Sequence, residues 1–319
     1  MNPKVTVLLT IRNNVDTIKK CIDSILNQSY RNFDVFVVDA FSDEGTYEIL
    51  KSYGKKIRLE QLKSNPPQAY NYAIKKISSE IIAFTNGDCV ADRDWLRELI
   101  KPFENKDVAS VAGIAKNPKN PESKLQEIIG IELEDRYNHF PREILRAPEM
   151  NLAVRASVMK KLMFDPKLDT SYDADFGFRL NESGLGKMIY QPSSVIYHYH
   201  RPTWKAFYKQ QFKYGKFVAI NYLSKHMKRI RGDNISKTSM MIQIPLLYLG
   251  ALSLLLSLIF SSLFLPALII FMVLYLLYMG NAAVLSRRFT DFFYLFAMFF
   301  VRNVAWCLGI LKGLIELAK

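Results

Sequence analysis

The chain of 319 residues is poor in cysteine, with Cys21, Cys89 and Cys307 standing far apart. No pair has metal-knuckle or redox spacing, and an odd, scattered set excludes a disulfide framework, so a reducing compartment is expected. No cleavable leader is expected either. The apolar run up to Ile11 ends at Arg12-Asn13-Asn14, with no longer apolar core and no small-residue cleavage site. Targeting is then expected from apolar segments near the other end. Acid is almost absent between Ile196 and Lys237, where Arg201, Lys205, Lys209, Lys213, Lys216, Lys225, Lys228, Arg229, Arg231 and Lys237 face Asp233 alone. That stretch holds nine of the formal net charge of +13. No base-reading motif accompanies it and a long apolar run follows it, so its place argues against nucleic acid and for anionic membrane lipids, at about 1 kcal/mol per basic residue near such a surface. Charge then nearly disappears from about Met240 onward.

What is present divides at that point. Residues 1–200 mix charged and apolar residues in short blocks, residues 201–237 form a basic interface segment, and residues 238–319 form a membrane domain. Two apolar stretches, about 240–260 and 263–285, each reach the ~20 residues a spanning helix needs, with Ser261-Ser262 between them. Lys237 before the pair and Arg287-Arg288 after it predict that both outer ends face the cytoplasm. A third stretch, about 292–317, carries Arg302 near its middle, where an arginine costs about 2.5–3.5 kcal/mol unless it meets protein, water or a lipid phosphate. The pattern allows that stretch to span or to be re-entrant. The result is a multi-pass protein of the cell membrane with its first domain cytoplasmic.

In the first domain, strands alternate with helices. Val5 to Ile11, Phe33 to Val38, Ile57 to Leu62 and Glu80 to Phe84 read as strands; Asp16 to Asn27, a segment ending near Ser52 and one opened by Pro66-Pro67 read as helices. This spacing predicts an α/β fold with a parallel sheet, whose ligands sit at the carboxyl ends of the strands. The polar clusters Thr10 to Asn14, Asp39 to Asp43 and Asn86 to Asp88 would share that edge. Asn86 and Asp88 alternate along extended chain, which suits a hard divalent cation that also binds phosphate oxygens; an Asx-rich turn is the plain alternative. Asp173 and Asp175 precede a helix read from Phe176 to Ser183, where they serve as capping acids or as reactive carboxylates. His198 and His200 fall on one side of an extended segment after a strand, Lys187 to Tyr190, and a turn at Pro192. Trp204 to Phe217 is an amphipathic helix with a basic stripe, suited to the membrane interface.

Roughly residues 4 to 215 resemble the family-2 inverting glycosyltransferases with the GT-A nucleotide-sugar-binding fold. The resemblance rests on Val37-Val38-Asp39-Ala40-Phe41-Ser42-Asp43, on Asn86-Gly87-Asp88 for Asp-x-Asp, on Glu149 to Arg155 for the acceptor-side strand, and on Tyr172-Asp173-Ala174-Asp175 for Glu-Asp-x-Asp. It departs from the family at Ala40 and Asn86, where acids are usual. The resemblance implies a mostly parallel sheet, a metal-dependent inverting hexosyl transfer, and Mg2+ or Mn2+ as cofactor. It implies nucleotide binding by Thr10, Arg12, Asn13, Asp39, Ser42 and Asp43. It implies metal ligation by Asp88, Asn86 and His198, and Asp173 as the base. Acceptor or diphosphate contacts fall to Asn151, Arg155, Asp175, Gln210, Gln211 and Lys213, the last three in a degenerate form of the Gln-x-x-Arg-Trp motif. The implied partners are a nucleotide-sugar donor and a lipid-linked or glycan acceptor. A polyprenyl phosphate acceptor, or a membrane scaffold that has lost catalysis, are the other readings.

Overall fold

The computed structural model describes residues 2–220, 225–227 and 232–318. Lys228, Arg229 and Arg231 of the basic stretch lie outside the described residues. The chain divides into two compact units, Met1–Asn120 with Arg136–His200, and Pro121–Asp135 with Arg201–Lys319. Residues 121–135, inside the span expected to be one domain, thus group with the C-terminal helices.

The first unit runs β1 (Val5–Ile11), α1 (Ile18–Leu26), β2 (Phe33–Asp39), α2 (Thr46–Ser52), β3 (Arg58–Gln61), α3 (Pro66–Lys76), β4 (Ile81–Phe84), β5 (Cys89–Ala91), α4 (Trp95–Ile100) and β6 (Val108–Lys116). After α5 (Lys124–Asn138), most of which belongs to the other unit, come β7 (Leu152–Arg155), α6 (Ala156–Leu162), α7 (Tyr172–Ser183) and β8 (Lys187–His198). The strands form one mixed sheet in the order β3-β2-β1-β4-β7-β6-β8-β5. Parallel pairings join β3, β2, β1 and β4, and β6 to β8; the others are antiparallel. The β-branched and aliphatic run of β1 is buried on both faces, as a central parallel strand requires. The chain leaves β1 on one side toward β2 and β3 and returns on the other to β4, so the carboxyl ends of β1, β2 and β4 surround a topological switch point.

Four elements differ from the sequence reading. β8 is one strand through Pro192, not a short strand and a turn: the register with β6 jumps between Ala112/Tyr190 and Ile114/Val195, and that bulge accommodates a residue with no N–H to donate. α7 begins at Tyr172, so Asp173 and Asp175 lie in its first turn rather than ahead of it. β6 and α5 went unread, because their patterns offer neither a turn dipeptide nor a clean helical stripe.

The second unit contains α5 up to Asp135, α8 (Trp204–Val218), α9 (Thr238–Leu256), α10 (Phe264–Leu285) and α11 (Phe289–Leu317). The last three are long and apolar enough to cross a membrane. α11 is one helix of 29 residues that starts earlier than expected. α8 crosses α11 closely: a Cβ on Gly309 would run into the Phe212 carbonyl and one on Gly215 into the Trp306 backbone. The apolar face of α5, Leu125, Ile128 and Ile131, packs with Phe207, Leu274, Leu295 and Phe299. Its acids meet the basic ends of the apolar helices: Glu127 with Arg288 at 2.6 Å, Glu134 with Arg287 at 3.8 Å and Asp135 with Lys237 at 3.2 Å. Arg302, expected to meet protein, water or a lipid phosphate, meets protein: it is buried against Glu132 at 3.0 Å. The basic residues flanking the apolar helices are therefore matched within the protein, and the exposed cations of this unit include Lys205, Lys209 and Lys213 on α8.

Candidate active site

The carboxyl ends of β1 and β2 carry two loops tied to one another. Asp39, last in β2, is fully buried and accepts from Ser42 N at 3.1 Å, Ser42 Oγ at 2.5 Å and Gln61 Nε2 at 2.9 Å. Asn13, in the loop after β1, donates its N–H to Ser42 Oγ at 3.0 Å and its amide to Asp43 Oδ1 at 2.7 Å, while Asp43 N donates to Asn13 Oδ1 at 3.2 Å. Four of the six residues expected to bind nucleotide are thus joined by hydrogen bonds. Thr10 sits half-buried near the end of β1, and Arg12 is exposed beyond it.

At β5 the chain turns so that Cys89 faces His198 across the antiparallel pair, and Tyr199 N donates to the Asp88 carbonyl at 2.9 Å. His198 Nε2 lies 3.5 Å from Asp88 Oδ1, with both side chains mostly buried. Asp88, Cys89 and His198 each bring one donor atom to within 4.8 Å of the others. His198 Nδ1 is buried and has no hydrogen-bond partner, while Nε2 of the same ring faces the Asp88 carboxylate, an arrangement that fits a cation. Burial first, and the Asp88 charge second, push the Cys89 thiol well above its ordinary pKa, so it is a weaker ligand than the other two. A divalent ion held by Asp88 and His198 would neutralise charge developing on a diphosphate leaving group.

Asn86 points elsewhere. It accepts from Tyr70 OH at 3.3 Å and donates to Glu149 Oε1 at 3.3 Å. Glu149, not singled out from the sequence, also accepts from Tyr172 OH at 2.9 Å. Burial first, then the Asp173 charge, push Glu149 up to about 8. Asp173, at the head of α7, is likewise raised by burial, with Arg146 and the hydrogen bond with Glu149 opposing. A raised carboxyl is a better proton acceptor than an ordinary aspartate, and the desolvation required to overcome the stabilising effect of a helix N-terminus is present here. A lone acid between a proline and an apolar strand was the available signal for Glu149.

Several expected acceptor contacts are occupied by the fold. Asn151 is buried, accepting from Trp95 Nε1 at 2.8 Å and donating to the carbonyls of Ile114 at 2.9 Å and Ser194 at 3.1 Å. Arg155 donates to the carbonyls of Val108, Phe103 and Asn105. Asp175 pairs with Arg179 at 2.8 Å. In the second unit Gln211 turns inward to accept from Trp306 Nε1 at 2.9 Å, whereas Gln210 is half-buried and Lys213 exposed. The polar atoms of Asn151, Arg155 and Gln211 thus already engage buried backbone or indole groups.

A mixed sheet of this order with ligand loops at its carboxyl edge and a helical extension is a GT-A-like transferase architecture. The chain belongs to the family 2 group of glycosyl transferases: residues 134–308 match the model of glycosyl transferase family group 2 and residues 6–164 that of glycosyl transferase family 2. It is 26% identical over 230 residues to glycosyltransferase AglE of Haloferax volcanii, covering 67% of this chain and 72% of that one. It is 23% identical to a dolichyl N-acetyl-alpha-D-glucosaminyl phosphate 3-beta-D-2,3-diacetamido-2,3-dideoxy-beta-D-glucuronosyltransferase of Methanococcus voltae, covering 66% and 71%. The solved mannosyltransferase PcManGT of Pyrobaculum calidifontis, in complex with GDP-Man and Mn2+, superposes with a TM-score of 0.68 at 16% identity, over 99% of this chain and 88% of that one.

Proposed function

We propose that this glycosyltransferase moves a sugar, with inversion, from a nucleoside diphosphate to a hydroxyl of a lipid-linked saccharide or other glycan at the membrane. The observation that carries the reading is the Asp173–Glu149 carboxyl pair, raised by burial in the same unit as the Asp88–His198 pair. Asp88 and His198 hold Mg2+ or Mn2+, and the linked Asn13, Asp39, Ser42 and Asp43 loops hold the nucleoside. Asp173 accepts the proton of the acceptor hydroxyl as its oxygen forms the new bond at the anomeric carbon; the bond to the diphosphate breaks and the nucleotide leaves with its electron pair. One displacement inverts the centre. The first unit faces the cytoplasm and α9, α10 and α11 span the bilayer, with Lys205, Lys209 and Lys213 directed to anionic headgroups. A phosphate acceptor is less well supported, because Arg302, one of the basic groups suited to it beside the Lys205 stripe, is committed to Glu132. The glycan-acceptor reading is tested by Asp173→Asn. This variant should retain nucleotide affinity and lose roughly two to four orders of magnitude in turnover. Full turnover in it overturns the hydroxyl-acceptor mechanism.

A further inference from the structure

Among the described residues of the first unit, Phe41 is the one large apolar side chain left exposed, at 54%. Its backbone is also in the left-handed region, with φ 57°. Bulky residues rarely adopt this conformation, which glycine enters without a steric penalty. The turn imposes it: Ala40 N donates to the Ile11 carbonyl at 2.8 Å and Ser42 N folds back onto the Asp39 carboxylate, leaving Phe41 at the apex. The aromatic ring contributes nothing to the core and is held strained in solvent, which is the mark of a residue retained for a ligand. The facing loop repeats the conformation at Asn13, with φ 55°, and is tied to Ser42 and Asp43 beside the ring. Both loops close the carboxyl ends of adjacent parallel strands at the switch point of the sheet.

We propose that Phe41 is the platform on which the nucleobase of the donor stacks, with the tied loops presenting the ring at a fixed angle. This rests on the donor-site reading above and extends it to the base. An aromatic face accepts purines and pyrimidines alike, so Phe41 contributes affinity while neighbouring polar groups discriminate. Full-length protein in detergent, with Mn2+, is titrated with UDP, GDP, ADP, CDP and inorganic pyrophosphate, as wild type, Phe41→Gly and Phe41→Tyr. Glycine suits the turn, so Phe41→Gly should fold with an undiminished thermal midpoint. Its affinity for the nucleotide that wild type prefers should fall roughly 5- to 150-fold, the range for one stacked base, with pyrophosphate affinity unchanged. Phe41→Tyr should retain nucleotide affinity. Unchanged nucleotide affinity in Phe41→Gly overturns the stacking role alone, as does an equal loss for pyrophosphate. Failure of wild type to bind any nucleotide overturns the donor site and the stacking role with it.

Discussion

Glu149→Gln makes the unusual state of the Glu149 carboxyl measurable. Glu149 titrates at 4.5 when unperturbed and is pushed up to about 8 in the folded protein, by burial first and by Asp173 second. Between those values the folded chain holds a proton that the unfolded chain has released. The stability attached to this group is therefore fully present below pH 4.5, falls as pH rises, and is gone above about 8. At about 1.4 kcal/mol per pH unit the ceiling is about 5 kcal/mol, and partial exposure of the carboxyl lowers the expectation to roughly 2–3 kcal/mol. Glutamine keeps a carbonyl oxygen for the Tyr172 hydroxyl and the Asn86 amide, so packing and acceptor geometry persist while titration is removed. Thermal unfolding of both proteins in detergent at pH 5, 6.5 and 8 isolates the difference. At about 2–4 °C per kcal/mol, the wild-type midpoint should drop roughly 5–10 °C more than that of Glu149→Gln across this range. Parallel curves would refute a raised Glu149.

Asp88→Ala should abolish Mn2+-dependent nucleotide affinity; a variant whose affinity still falls on chelation as far as that of wild type would remove Asp88 from the metal site. Glu132→Gln takes away the carboxylate facing buried Arg302 and should destabilise the helical unit by about 3–5 kcal/mol, whereas Glu132→Leu with Arg302→Met should be near neutral. Equal losses in the single and double variants, by thermal unfolding in detergent, would show that the pair is not coupled. Gly309→Leu places a side chain where α8 and α11 touch and should cost about 1–3 kcal/mol, read from the same unfolding curve. An unchanged midpoint would contradict the close crossing.

The strands of the parallel half were legible because burial on both faces demands continuous aliphatic runs, and the loops after them because polar clusters interrupt those runs at the same end. Long-range partners were not legible, since nothing local to Glu132 or Glu149 announces Arg302 or Asp173. The two motif departures illustrate the limit. Asn86 and Tyr172 stand where the family usually has acids, and either alone reads as decay of a catalytic motif. In the fold both are hydrogen-bond donors, and both donate to the same oxygen, Oε1 of Glu149. An acid at 86 or 172 would place a further negative charge against Glu149, which already bears the repulsion of Asp173. The three positions therefore form one set: an acid at 149 requires donors at 86 and 172. On that argument the substitutions mark a rearranged carboxyl cluster around Asp173, and a chain with acids restored at 86 and 172 should need the acid at 149 removed to recover its stability.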